Sequence, residues 1–275
     1  MPEGPEIRIA ADKLERAIAG RVTTSVYFAF EVLKPLQRQL TGLRVLNVET
    51  RGKAMLTRFE NDWVIYSHNQ LYGRWMISRA GVMPNTKRQL RLAIHNHEKS
   101  ALLYSASDIE VLTADQLCRH PFLSKLGPDC LSHDISTDLI VDRLRSPEFG
   151  KRQLAGLLLD QSFIAGLGNY LRAEILYFAA IHPKTKPANC SDKQLNRLAK
   201  YIKKLPRRSY SSGGVVNPPA LVKVLKSNGK MRKSQYRFSV YKRDGMACYQ
   251  CGQVIESLVT GGRKMYFCPG CQSHD

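Results

Sequence analysis

Acidic residues are scarce in this 275-residue chain. There are 23 Asp and Glu against 42 Lys and Arg, which leaves a formal net charge of +19. That imbalance points to a polyanionic partner. No apolar run approaches the roughly 20 residues that a membrane-spanning helix needs, which excludes an integral membrane protein of that kind. The first residues, Met1-Pro2-Glu3-Gly4-Pro5-Glu6, are acidic at once and hold no apolar segment, so a signal peptide is not expected either. What the chain does have is 43% hydrophobic residues. This is enough to bury a core and excludes wholesale disorder.

The seven cysteines divide unevenly. Cys118, Cys130 and Cys190 are scattered, whereas Cys248, Cys251, Cys268 and Cys271 form a C-x2-C-x16-C-x2-C pattern. Four thiolates at this spacing suit a β-hairpin folded around one tetrahedral Zn²⁺. A rubredoxin-like iron site uses similar spacing, and two disulfides are the other option. Without a secretory signal the thiols are expected to be reduced, in a cytoplasmic setting, with the paired four as metal ligands. No open coordination position is implied, so the metal reads as structural.

Along the chain the pattern changes three times. Residues 1–20 read as a helix: Ile7, Ala10, Ala11, Leu14 and Ile18 recur at helical spacing, Pro5 suits a first turn, and Gly20 suits a stop. From residue 21 to 105 short β segments follow, with Val26, Phe28 and Phe30 alternating. Residues 54–59 and 63–68 flank one polar turn, and 91–95 and 101–105 flank another. Such a series predicts an antiparallel sandwich or barrel. After residue 110 the pattern is helical. Thr113 with Gln116, and Ser191 with Gln194, resemble capping boxes. Leu154, Leu157, Leu158 and Gln161 make one helical face, and Leu195, Leu198, Ile202 and Leu205 make another. Residues 213–235 read as a linker or mobile loop. Residues 236–275 are too few for a large core of their own and need the metal. The last 70 residues carry 12 Lys and Arg against 3 Asp and Glu. This is either a solvated face or, with the metal hairpin inside it, a nucleic-acid contact.

Several short motifs suit chemistry, and each has a plainer reading. Removal of Met1 would leave Pro2 as a free secondary amine. An α-amino group has a pKa near 8, against about 10.4 for Lys, so far more of it is uncharged and nucleophilic at neutral pH. Glu3 beside it could move protons. Pro and Glu are equally at home in a helix's first turn. Lys53, in Arg51-Gly52-Lys53, is a general acid, a phosphate ligand or a turn lysine. Gln70-Leu71-Tyr72 is a wedge for a base stack or a strand end packed in the core. Gly166-Leu167-Gly168-Asn169-Tyr170 offers a phosphate the free N–H groups of a helix start, with Asn169 adding a hydrogen bond, or is a tight turn. Arg263 and Lys264, near the expected hairpin tip, are aimed at DNA or are ordinary exposed cations.

Together and in this order, these pieces resemble the formamidopyrimidine-DNA glycosylase/endonuclease VIII family, and the match covers nearly the whole chain. Tyr66–Tyr72, Leu103–Asp108 and His120-Pro121-Phe122-Leu123 resemble its bacterial endonuclease VIII branch. The resemblance implies an α+β architecture: an N-terminal helix and antiparallel β-sandwich over residues 1–125, a helix-two-turn-helix domain over 126–212, the 213–235 segment, and a four-Cys zinc-finger hairpin over 236–275. It implies a base-excision repair DNA glycosylase and AP lyase, acting as a monomer on oxidised pyrimidines in damaged double-stranded DNA. Pro2 would be the Schiff-base nucleophile and Glu3 the acid/base. Lys53 would assist β-elimination and Arg263 δ-elimination. Gln70, Leu71 and Tyr72 would fill the space left by the flipped base, and Asn169 would grip phosphate. Lys125 stands where related enzymes often have Arg; it keeps the charge but loses the bidentate fork. The 213–235 segment is longer than is usual in this branch. The rival is a non-catalytic zinc-ribbon DNA-binding protein, which uses the charge and cysteines but leaves Pro2 and Lys53 without a task. A metal-dependent nuclease is a third reading.

Overall fold

The computed structural model describes residues 2–227, 229 and 231–273. They form two compact units, Met1–Lys125 and Leu126–Asp275. In the first unit, α1 (Gly4–Ile18) buries Ile7, Ala11, Leu14 and Ile18 along one stripe. Pro5 lies in its first turn, and Glu3 is its N-cap. The Glu3 N–H donates to Glu6 Oε2 at 3.1 Å, one half of a capping box that satisfies helix-end donors reciprocally.

The strands β1 (Ser25–Phe28), β2 (Val45–Arg51), β3 (Ala54–Phe59), β4 (Val64–His68), β5 (Arg74–Arg79), β6 (Leu90–His95), β7 (Lys99–Tyr104) and β8 (Asp108–Leu112) make two antiparallel four-stranded sheets. Their orders are β1-β6-β7-β5 and β2-β3-β4-β8. A short helix, α2 (Leu36–Leu40), follows β1, and another, α3 (Ala114–Cys118), follows β8. The sheets share one core with α1, in which Leu14, Phe28, Met55, Ile65 and Leu103 are almost fully buried. Burial stabilises each such side chain by about 1.5–3 kcal/mol.

Four strands depart from the pattern reading. Phe30 lies beyond the end of β1, and the expected alternation stops two residues earlier. β2 and β5 carry mostly exposed or half-exposed side chains, so their own sequence shows no clean period. They are strands because β3 and β7 supply backbone partners along their length. β8 extends the sheet region past residue 110 for the same reason, pairing Ile65 with Val111 and Tyr66 with Glu110.

The second unit holds α4 (Thr137–Arg145), α5 (Leu154–Leu157), α6 (Asn169–Ala179), α7 (Asp192–Ser211), α8 (Pro219–Ser227), α9 (Lys233–Tyr236), and the hairpin of β9 (Glu256–Thr260) and β10 (Arg263–Phe267). Ser191 caps α7 through a capping box with Gln194, as its sequence suggested. Leu195, Leu198, Ile202 and Leu205 are buried along that helix. The expected face running from Leu154 to Gln161 is shorter than its spacing implies. Helix α5 ends at Leu157, and the Gln161 amide instead donates to the carbonyls of Leu159 and Leu167.

The 213–235 segment is also corrected. It carries two helices, with Pro219 opening α8 as suits a first helical position. The Gly, Pro and Ser content that suggested a loop punctuates these short helices. The hairpin shares its core with the helices: Ile255, Met265, Tyr266 and Cys268 belong to the same buried cluster as α6 and α7.

Candidate active site

One end of the β2-β3-β4-β8 sheet collects polar groups. Arg51, Ala54, His68 and Asp108 are successive cross-strand partners, a single row across all four strands. The β2–β3 turn needs Gly52, whose φ of +61° lies in the left-handed region that glycine adopts without steric cost. This turn delivers Lys53, only 8% exposed. Burial and then the Lys53 charge hold the His68 imidazole below its ordinary pKa, against the opposing pull of Asp108. Next to it, burial and the Asp108 charge push the Tyr66 phenol up.

Beyond His68 the chain turns sharply. The Gly73 N–H donates to the Asn69 carbonyl at 2.7 Å. Gln70 adopts φ +47°, a conformation unusual for a residue with a side chain. Its N–H donates to His68 Nδ1 at 3.1 Å, and its Oε1 accepts from Ser107 Oγ at 2.8 Å. The turn so held presents Leu71 and Tyr72, 52% and 68% exposed. Their exposure removes the alternative in which this trio packs into the core.

Pro2 is half-buried just ahead of the N-cap Glu3, whose side chain is almost wholly buried. Glu3 caps the helix, and its carboxylate is held next to Pro2 in the chain. Lys125 is exposed at the end of a short 3-10 turn, Leu123–Lys125.

In the second unit, Gly168 is the N-cap of α6 and Asn169 its first residue. The Asn169 amide donates to the Lys264 carbonyl at 3.1 Å, so it is tied to the hairpin. The hairpin reverses at Gly261 and Gly262, φ +58° and +71°, the pair of left-handed residues that a type I′ turn requires. Arg263 follows the turn opposite Thr260, with an exposed side chain. Its neighbour Lys264 lies 3.5 Å from Asp244.

The four cysteine Sγ atoms of Cys248, Cys251, Cys268 and Cys271 lie within 4.8 Å of one another. Cys248 and Cys271 are 3.9 Å apart, and Cys251 and Cys268 3.4 Å. These separations fit a metal: tetrahedral Zn–S bonds of 2.3 Å imply sulfurs about 3.8 Å apart. All four are free thiols, which removes the disulfide reading. Burial opposes ionisation of Cys248, but hydrogen bonds from Tyr177 and the backbone of Cys251 and Gln250 favour its thiolate, whereas burial and the neighbouring sulfurs push the Cys268 and Cys271 thiols up.

Residues 1–107 match the formamidopyrimidine-DNA glycosylase N-terminal domain, and residues 126–216 match the formamidopyrimidine-DNA glycosylase H2TH domain. Proteins named Endonuclease 8 from Klebsiella pneumoniae and from Escherichia coli K12 are each 49% identical over 272 residues, covering 99% of this chain and 100% of the relative. The chain belongs to the formamidopyrimidine-DNA glycosylase family. A Lactococcus lactis Fpg bound to DNA containing N7-benzyl-Fapy-dG shares the family fold at a TM-score of 0.82 and 25% identity, over 99% of this chain and 100% of that one. A Lactococcus lactis Fpg in complex with abasic-site DNA, 24% identical, matches at a TM-score of 0.81 with the same coverage.

Within this family member, pattern reading assigned no role to several polar residues of these neighbourhoods. His68, Ser107 and Asp108 shape the turn that carries Gln70. Arg172 and Glu174 are fully buried on α6. Their signal was in the sequence: two opposite charges inside the otherwise apolar run Tyr170–Leu176.

Proposed function

We propose that this chain is a base-excision repair DNA glycosylase and AP lyase that removes oxidised pyrimidines through a Schiff base on Pro2. The observation that carries the reading is full-length similarity to Endonuclease 8 proteins in a chain that keeps Pro2-Glu3 at its start and an exposed Gln70-Leu71-Tyr72 turn. The target nucleotide leaves the stack because C1′ is out of reach inside a duplex; extrusion costs a few kcal/mol, less for a damaged base. Leu71 and Tyr72 fill the gap left behind, with Gln70 beside them.

The Pro2 nitrogen attacks C1′, and the base departs with a proton that Glu3 helps to move. The sugar ring opens to an iminium, in which the C2′ proton is acidic. Its loss expels the 3′ phosphate by β-elimination, and a second elimination expels the 5′ phosphate. Hydrolysis of the iminium frees Pro2 and releases the unsaturated sugar aldehyde. Lys53, buried and cationic, assists the first elimination. Arg263 meets the charge that develops on the second departing phosphate; a guanidinium stays charged and donates in a fixed fork. Asn169 and Lys125 hold the backbone. One Zn²⁺ on the four cysteines fixes the hairpin that carries Arg263. The enzyme acts as a monomer on damaged double-stranded DNA, in the bacterial cytoplasm on the nucleoid.

Borohydride trapping on an abasic duplex, followed by peptide mapping, tests this. The adduct is expected at Pro2, and keeping Met1 or adding one residue ahead of Pro2 abolishes it. An adduct on Lys53, or an active protein that retains Met1, overturns the mechanism.

A further inference from the structure

Helix α6 holds the finger hairpin by two fully buried polar side chains, Arg172 and Glu174. The Arg172 Nη1 donates to the Ala155 carbonyl at 2.8 Å, and its Nη2 lies 3.2 Å from the Lys264 carbonyl and 3.4 Å from that of Arg263. Hydrogen bonds from a charged donor are roughly twice as strong as neutral ones, and the planar fork fixes the direction of each. One guanidinium thus ties α5, α6 and the start of β10. The Lys264 carbonyl also accepts from Asn169, so the first turn of α6 and the hairpin share one acceptor.

Two residues on, Glu174 does the converse. Its carboxylate accepts the N–H groups of Ser239, Val240 and Tyr241, each at 2.9 Å. Side chains two apart lie about 200° apart around a helix, so these contacts leave α6 in different directions. The segment entering the finger is held by Glu174, and the strand leaving its tip is held by Arg172. The Arg263 backbone is therefore fixed while its side chain stays exposed.

We infer that Arg172 is a positioning residue for Arg263: it sets where the guanidinium that assists the second elimination stands, on the same support as the phosphate-gripping Asn169. The inference rests on the reading of Arg263 given above. Replacing Arg172 should leave chemistry at Pro2 intact and disturb only the steps that depend on the hairpin. Misplacing such a group by about an ångström is enough to cost up to a hundredfold in its step.

The test uses full-length, zinc-loaded protein with Arg172→Met, which keeps bulk but no donor, and Arg172→Lys, which keeps charge but not the fork. Each is assayed for zinc per chain, for thermal stability, for borohydride trapping on a preformed abasic duplex, and for the ratio of 3′-phosphate to unsaturated-aldehyde ends. Arg172→Met is expected to keep zinc and trapping and to shift the ends toward the aldehyde by about tenfold or more. Arg172→Lys should fall between it and the parent. The double variant Arg172→Met/Arg263→Ala should match Arg263→Ala alone, because a misplaced group and a missing one fail at the same step. Parental ends from a zinc-loaded Arg172→Met, or additive effects in the double variant, overturn the inference. Should Arg172→Met lose zinc, Arg172→Lys decides: parental ends, or zinc loss there too, reduce Arg172 to a folding residue and overturn it. If Arg263→Ala itself gives parental ends, the role of Arg263 falls rather than the link from Arg172.

Discussion

The two units bury charge in different ways. In Met1–Lys125 the apolar core is complete between the sheets and α1, and the buried Glu3 and Lys53 lie at a helix N-cap and in the β2–β3 turn. In Leu126–Asp275 the charges of Arg172 and Glu174 sit in the middle of a core helix, and both are spent on backbone groups of other segments. The second unit adds buried, directional hydrogen bonds to the apolar contacts of Ile255, Met265 and Tyr266, because apolar burial alone is non-directional and does not set the hairpin's orientation. A buried ion satisfied by several backbone groups is costly to break, since removing one side leaves the other desolvated and unmatched.

The sharpest break in this contrast is removal of a metal ligand. Cys268→Ser should lose the metal, and because Cys268 shares a core with Met265, Tyr266 and α6, the damage should spread into the second unit. Weakened DNA binding, a lowered transition for residues 126–275 and an unchanged one for 1–125 are expected from protease-resolved melting. A first unit that melts earlier too would sink the contrast.

Next come matched core truncations. Leu103→Ala and Leu198→Ala each remove a fully buried side chain, one from each core. Each should cost about 2–5 kcal/mol. Denaturant unfolding followed by hydrogen exchange should show each loss confined to its own unit.

A smaller effect concerns selectivity at the exposed turn. Leu71→Ala and Tyr72→Ala should slow excision of oxidised pyrimidines by about ten- to a hundredfold, the worth of 1–3 kcal/mol of stacking per ring or wedge. Activity on a preformed abasic site should change less. Competition kinetics on matched duplexes measure both; a parental preference for 8-oxoguanine opposite C would move the turn's role elsewhere.

The smallest is a pH effect. His68 has its folded pKa lowered by burial and by Lys53. A depressed histidine contributes stability above its unfolded value of about 6.5, and that stability is lost as pH falls toward the folded value. Protonation also removes the Nδ1 acceptor for the Gln70 N–H. Imidazole titration by NMR should give a midpoint below that of a free histidine, with the Gln70 amide shifting in step. A midpoint at or above the free value contradicts it.

Much of this protein could be read before any coordinates. The stripe of Ile7, Ala11, Leu14 and Ile18, the capping boxes at Thr113 and Ser191, and the cysteine spacing are local signals, because helix faces, caps and metal hairpins repeat at fixed short intervals. The same holds for the positions of Pro2 and Glu3 at the start of α1 and of Arg263 beside the hairpin turn, which follow from chain order. Strands β2 and β5 were not legible, since half-exposed strands gain their hydrogen bonds from partners distant in sequence. Helix α8 was obscured by the Gly and Pro residues around it. Only the tertiary structure brought Asp108 beside His68, exposed Leu71 and Tyr72, and laid Arg172 against the carbonyls of residues 263 and 264, 91 and 92 positions away. The sequence by itself determined which groups the chain has and which short elements carry them. Which groups meet was decided by burial and backbone pairing, because those contacts join residues that no local period relates.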